Sequence, residues 1–434
     1  MNASNSLVIP SSWKRWGGAV LSTVMAFGML SACGSGSGSS GDKITIFNSK
    51  SEIQSQMEDM AKQYSKEKGV DVEVYMSADP VTTHLSTKYA SNDPYTISMV
   101  DAKDVYTLAK DHAIDLSDQP WVKDTKYAIS IDGKTYGFPV CVEARGLIYN
   151  ADAIKKITGK DFNPDAYKTL DEFKSLIQEL KDGGMKSPTG VMKEDWSLAA
   201  HFLPQVYEEQ KDPEAFIKDL QAGKVDLASD AKFNALMDTF DVLKKNNYAA
   251  SSAISAEREV TEQNLAEGKI AFMFGGNWDW SVLNQYDYSK NMGIMPVPQN
   301  TDDGSNDKLV GGGSKFLFID SSKNTSDKQR KEAKAFLTWL ADSKEGQTFI
   351  TKDASLVPAF TNNTQPVADP LGVSVKEYVD ADKLIANFNF LPDDHYTKLG
   401  ADFQKYLANQ ENRGQFAKAI EAYWKSAKLS GSSE

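Results

Sequence analysis

From Lys43 onward, short β-rich runs alternate with helix-like stretches, and this alternation does most to limit the possible fold. Lys43-Ile44-Thr45-Ile46-Phe47 is rich in β-branched residues and leads into a predicted helix over about 51–66. Over 70–76 the chain sets Val70, Val72, Val74 and Met76 against Asp71, Glu73 and Tyr75, the period of two expected of a strand. A helix over about 82–90, a strand over 95–100 and a helix over 105–110 follow. Strand–helix units of this length predict an α/β fold, an open sheet with helices on its faces. A second α/β set starts near Gly146-Leu147-Ile148-Tyr149. Thr169-Leu170-Asp171-Glu172 reads as a capping box that opens a helix to about residue 180, ended by Gly183-Gly184. Further helices are predicted over 213–222, 230–245, 328–341, 396–408 and 415–425.

With 434 residues, 41% of them hydrophobic, the chain can build two domains with cores of their own. A net charge of −12, from 60 acidic residues against 48 basic ones, argues against a nucleic-acid partner, whose phosphates the carboxylates would repel. The one long apolar run lies at the start. Lys14 and Arg15 precede a run from Gly17 to Leu30, and small residues follow, as in a secretory signal peptide. That run is shorter than the roughly 20 residues of a comfortable membrane span. Its exit, Leu30-Ser31-Ala32-Cys33, resembles the lipobox of bacterial lipoproteins. The resemblance implies a signal peptide over 1–32, cleavage before Cys33 and a lipid on that cysteine. Residues 34–41 are all Gly or Ser, so 33–42 is expected to be a lipidated cysteine with a flexible tether of roughly 15–17 Å reach. Cys141 is then the lone thiol of the body, and no internal disulfide is expected.

Four segments carry a wider resemblance. The first is Asp132-Gly133-Lys134-Thr135-Tyr136-Gly137-Phe138-Pro139 with Val142-Glu143-Ala144 and Leu147-Ile148-Tyr149-Asn150. The second is Glu267-Gly268-Lys269-Ile270-Ala271-Phe272-Met273-Phe274-Gly275-Gly276-Asn277-Trp278-Asp279-Trp280. A third runs from Met292-Gly293-Ile294-Met295-Pro296-Val297-Pro298 through Gly311-Gly312-Gly313 to a helix over 333–340, and Leu356-Val357-Pro358 is the fourth. In this order they resemble the maltose-binding-protein-like bacterial extracellular solute-binding proteins (family 1), the ligand-capturing lipoproteins of sugar ABC importers. The resemblance implies a two-lobe, periplasmic-binding-protein-like fold of type II with a ligand cleft between the lobes. It implies crossings near 139–143, 311–313 and 356–358. The N-terminal lobe would hold 43–140 plus 314–358, and the C-terminal lobe 141–313 plus 359–434. Hinge closure is a known mode of such proteins, and the periplasmic binding proteins are the usual example of it.

A sugar offers weakly apolar faces and hydroxyl rims, so its site needs flat aromatic platforms and bidentate polar groups. By resemblance Trp278 is the stacking platform and Glu143 a sugar-contacting carboxylate; Trp280 is a second aromatic candidate. Glu143 alternatively reads as a hinge carboxylate paired with Arg145. Asp101 ends the strand Thr96-Ile97-Ser98-Met99-Val100, a favoured ligand position in open α/β sheets, and alternatively caps the next helix. Asn48 and Ser49 follow the first strand in the same way. Asp195 and Trp196 lie where relatives often supply an aromatic, and Phe388, Asn389, Phe390, Asp393 and Asp394 lie in a segment that faces the cleft in relatives.

Other chemistries fit less well. Gly133-Lys134-Thr135 lacks the earlier glycine of a P-loop, since position 128 is Ala128, and Pro139 would block the helix. The acidic stretch over 300–307 has the wrong spacing for an EF-hand. His84, His112, His201 and His395 are scattered singly, so no metal or other cofactor is expected. The expected protein is a monomeric, non-enzymatic receptor on the extracellular face of the membrane. It would pass an oligosaccharide to membrane permease subunits, with import driven by a separate ATPase. Two rivals stand: the same fold holding a polyamine or other cationic metabolite, and a glycosidase using Asp101 and Glu143.

Overall fold

The computed structural model describes residues 43–430. The signal peptide, Cys33 and the Gly/Ser tether fall outside the described residues. Among those residues thirteen strands form two sheets: β1 (Ile44–Phe47), β2 (Val72–Tyr75), β3 (Ile97–Asp101), β4 (Ile129–Ile131), β5 (Lys134–Pro139), β6 (Cys141–Asn150), β7 (Thr189–Gly190), β8 (Phe272–Gly276), β9 (Met292–Met295), β10 (Leu309–Gly313), β11 (Lys315–Ile319), β12 (Val357–Pro358) and β13 (Leu384–Ala386). The first sheet has the order β2-β1-β3-β11-β5-β4. Its first three strands are parallel, with Ile44 opposite Val72 and Ile46 opposite Ile97. Strand β11 returns from far along the chain to lie antiparallel between β3 and β5. Phe316, Leu317, Phe318 and Ile319 are buried on both faces there, as a central strand requires.

The second sheet has the order β13-β10-β6-β8-β7, with β9 and β12 also paired to β6. The long strand β6 is its spine, with β10 along the first half and β8 and β9 along the second. Three chain passages lie abreast where the two sheets meet. Val142 pairs with Gly313 on one side and Val357 on the other, and Cys141 pairs with Pro358. The Val140 N–H donates to the Lys315 carbonyl at 2.7 Å. One apolar core is continuous from Ile44 and Leu317 to Val142, Met273 and Leu309. A second, rich in phenylalanine, packs helices 170–182, 231–245, 395–407 and 413–424 on the second sheet.

The helix expected over 51–66 begins with a 3-10 turn, Ser51–Ile53, and continues as α1 (Gln54–Lys68). Helix α2 is Val81–Ala90. Helix α3 is Ala102–His112, three residues longer at its start than its apolar pattern predicts, because the Asp104 carboxylate accepts the Asp101 N–H at 3.3 Å. The capping box at Thr169 forms as expected, with Thr169 N–H on Glu172 Oε2 at 2.9 Å.

Candidate functional site

Both sheets contribute walls to one cavity of about 530 Å3, within the range of about 300–1,000 Å3 usual for small-molecule sites. The turn after β1 supplies Lys50. Asn48 builds that turn: its Oδ1 accepts the Lys50 N–H at 2.8 Å and its amide donates to the Lys50 carbonyl at 3.0 Å. The Lys50 ammonium, buried to 4% exposure, reaches Glu143 Oε1 on β6 at 2.6 Å and Glu52 at 2.7 Å. The Ser314 hydroxyl donates to the other Glu143 oxygen. Burial alone would raise the Glu143 pKa, but Lys50 and Ser314 outweigh it and hold the carboxyl down at about 2. Burial opposes the charge on Lys50 as well, and Glu143 more than offsets it.

The remaining charges are paired in the same manner. Asp101, at the end of β3, accepts from Lys315 at 2.6 Å. Arg145 is consumed by three partners: its Nε donates to the His201 carbonyl at 2.7 Å, Nη1 to Asn387 Oδ1 at 2.7 Å, and Nη2 to Glu208. Glu208 also accepts the Phe388 N–H at 3.0 Å, so Arg145 and Glu208 together fix the 387–388 segment at the cavity edge. Lys103 on α3 pairs with Asp393.

The apolar side of the cavity is aromatic. Trp278 lies in the 3-10 turn Asn277–Asp279 after β8, half-buried, and Trp196 opens the π-helix Trp196–Phe202, also half-buried. The His201 ring lies between them, 4.8 Å from the Trp278 ring and 5.5 Å from the Trp196 ring. Burial, reinforced by Arg145 and Arg258, lowers the His201 pKa to about 3, so this ring is neutral at ordinary pH. Gly275 and Gly276 make the turn possible. A Cβ on Gly275 would sit 2.1 Å from the Asp279 carboxylate, and one on Gly276 would sit 2.3 Å from the Trp278 ring.

Trp278, Glu143, Asp101 and Trp196 line the cavity, as do Phe388 and Asn389. Four other candidates do not. Asn48 is fully buried and spends its amide on the Lys50 turn. Asp195 is a helix cap whose Oδ1 accepts the Trp196 N–H at 2.7 Å, and its Cβ faces the close-packed Gly400. Trp280 is carried inward by the helical turn Trp280–Leu283, to 9% exposure against Tyr288, and borders a small neighbouring cavity of about 100 Å3. Phe390 packs on Tyr106 of α3 at 4.8 Å and on Phe388 at 5.7 Å. The pairing of Glu143 is also different: its cation is Lys50, while Arg145 serves Glu208. Sequence reading missed Lys50, Glu208, His201, Lys315 and Asn387. Lys50 lies in the same strand-end turn as Asn48 and was within reach of that argument; the others carry no local signal. Among the described residues no cluster of His, Cys, Asp and Glu could hold a metal ion.

The chain is similar to the melibiose/raffinose/stachyose-binding protein MelE of Bacillus subtilis, 21% identical over 355 residues that cover 78% of each chain. It is also similar to a maltooligosaccharide ABC transporter solute-binding lipoprotein of Streptococcus pneumoniae, 26% identical over 369 residues, 79% of this chain and 80% of that one. Among solved structures, the solute-binding protein RafE in complex with raffinose aligns with a TM-score of 0.72 at 20% identity, over 88% of this chain and 98% of that one. Its apo form from Streptococcus pneumoniae gives 0.71 over 88% and 97%. These likenesses establish a shared two-domain binding-protein fold. Residues 59–380 match the family profile for the bacterial extracellular solute-binding proteins, and the chain belongs to that family.

Proposed function

We propose that this protein captures a neutral oligosaccharide between two lobes and delivers it to the permease of an ABC importer. The observation that carries this reading is the internal pairing of the cleft's charges. Lys50 serves Glu143 and Glu52, Lys315 serves Asp101, Arg145 serves Glu208, and Lys103 serves Asp393. A site whose carboxylates already have cations has little to gain from a polyamine. It still offers indole faces and the free lone pairs of fixed carboxylates, which suit uncharged hydroxyls. The names of MelE and of the maltooligosaccharide-binding relative support the same ligand class. A glycosidase acid needs a raised pKa; Glu143 is held in the opposite direction, at about 2.

In this reading the N-terminal lobe comprises 43–140 plus 314–358 and the C-terminal lobe 141–313 plus 359–434. Trp278 and Trp196 stack on sugar faces from the C-terminal lobe, and Asp101 and Lys50 approach from the other. Because ligand touches both lobes, its binding favours the closed arrangement. Cys33 carries the lipid that holds a monomeric receptor on the extracellular face of the membrane, and the closed form docks on the permease. Titrating the soluble fragment from Gly41 onward with raffinose, stachyose, maltotetraose and spermidine tests the proposal. Calorimetric binding of an oligosaccharide without release of reducing ends is the expected outcome. Turnover would make the protein a glycosidase, and binding of spermidine alone would make it a polyamine receptor.

A further inference from the structure

Behind the aromatic wall lies a buried ionic network centred on Arg258, the first residue of the helix Arg258–Ala266. Arg258 does not line the 530 Å3 cavity; it borders a separate one of about 640 Å3 that Trp278 also lines. The centre of its guanidinium lies 4.4 Å from the centre of the Trp196 ring. Each of its nitrogens has a fixed partner. Nε donates to Glu262 Oε1 at 3.2 Å, Nη1 donates to Met192 Sδ at 3.1 Å, and Nη2 is paired with Asp279 Oδ1. Asp279 is the chain neighbour of Trp278 in the same 3-10 turn, and its second oxygen accepts the Gly276 N–H at 2.9 Å. One guanidinium thus lies on one indole and anchors the turn that carries the other.

We infer that Arg258 is a positioning residue that sets the mutual angle of the Trp196 and Trp278 platforms and so tunes how the cleft grips its sugar. This rests on the carbohydrate reading above. A guanidinium suits the task because it is planar, stacks on an aromatic face and offers donors in fixed directions, whereas a lysine ammonium is a compact charge on a flexible stem. The network sets one guanidinium among buried carboxyls. The side chains of Glu262 and Asp279 are each only 1% exposed, against 15% for Arg258. Burial, and then repulsion from Asp279, push the Glu262 carboxyl well above its ordinary value, towards the uncharged form, beside the Arg258–Asp279 pair. Glu194 is a further carboxyl, 3.9 Å from Arg258 Nη1. One compact ionic unit therefore touches the Trp196 ring and the Trp278 turn, while both indoles still line the 530 Å3 cavity.

The test is a double-mutant cycle on the fragment from Gly41 onward, with raffinose and maltotetraose as probes. Arg258→Lys keeps the charge beside Asp279 and Glu262 but removes the planar group from the Trp196 face. The expected result is a loss of affinity of about fivefold or more, because the Trp196 ring loses the flat group that sets its angle. In a Trp196→Ala background the same change should weaken binding less than twofold, because the ring through which Arg258 acts is gone. Should Arg258→Lys lower stability, both affinities are measured at matched folded fraction, which keeps the comparison. Equal losses in both backgrounds, or wild-type affinity in Arg258→Lys, would overturn the inference while leaving the carbohydrate reading intact. A wild-type fragment that binds neither probe nor any other oligosaccharide would overturn both.

Discussion

Trp278 lies back over Gly276 so closely that a Cβ at that glycine would be 2.3 Å from the ring. The glycine has no contact to offer a ligand; its value is the space it leaves. Gly276→Ala should therefore displace the indole and weaken oligosaccharide binding by about tenfold, roughly 1.4 kcal/mol, with the far-ultraviolet circular dichroism unchanged. Calorimetric affinity equal to wild type would show that the ring does not need this seat.

The two neighbouring tryptophans should separate cleanly. Trp278→Ala should weaken binding more than tenfold, upwards of about 1.4 kcal/mol. Trp280 is a core residue, so Trp280→Ala should lower unfolding stability by about 3–5 kcal/mol and leave the folded fraction binding normally. Urea titrations beside isothermal calorimetry distinguish the two, and the reverse pattern would exchange their roles.

Lys50 and Glu143 form a pair with side chains 4% and 14% exposed. Removing one partner strands the other, so Lys50→Met should destabilise the fold by about 3–5 kcal/mol. The double variant Lys50→Met, Glu143→Gln should recover part of that loss. Chemical denaturation of both variants checks this, and an additive double variant would mean that the two side chains act independently.

Acid should weaken the fold in a defined order. His201 and His395 have folded pKa values lowered to about 3, first by burial, from an ordinary 6.5. Below pH 6.5 the unfolded chain takes up protons that the folded one refuses, so stability falls as pH drops from 6.5 towards 3. Glu143 acts the same way lower down. Its stabilisation is complete above the ordinary glutamate value of 4.5 and is lost as pH falls through about 2. The raised carboxyls of Glu262, Asp104 and Asp369 act in the opposite direction over this range, so the comparison is with a His395→Phe variant. Wild type should lose more of its urea midpoint between pH 7 and 4 than the variant does, and equal losses would mean that this ring takes up its proton normally in the folded state.

The elements were more legible than the contacts. Val72 and Val74 alternate with polar neighbours, and Thr169 and Glu172 announce a helix start, because both signals depend on residues a few positions apart. Strand-end reasoning led to the right turns: Asp101 itself lines the cavity, whereas in the first turn the side chain that faces it is Lys50 and not Asn48. Asn48 folds in to shape the turn and Lys50 points out of it. Trp278 and Trp280 are two residues apart in sequence, yet a single helical turn sends one ring to the cavity and the other to the core. The charge pairs were invisible for a simpler reason. Lys50 and Glu143 are 93 positions apart, and Arg145 and Glu208 are 63 apart, so only the folded topology brings them together. Phe390 illustrates the opposite error, an aromatic in the expected segment that Tyr106 had already claimed.

The three passages that run abreast through Val142, Gly313 and Val357 have a mechanical consequence. Strands laced edge to edge by their backbones flex as one leaf, whereas three separate threads could each swivel alone. The jaws on either side should then swing about a single axis, like a door on a continuous strip, and sideways shear of one jaw past the other would require tearing that strip.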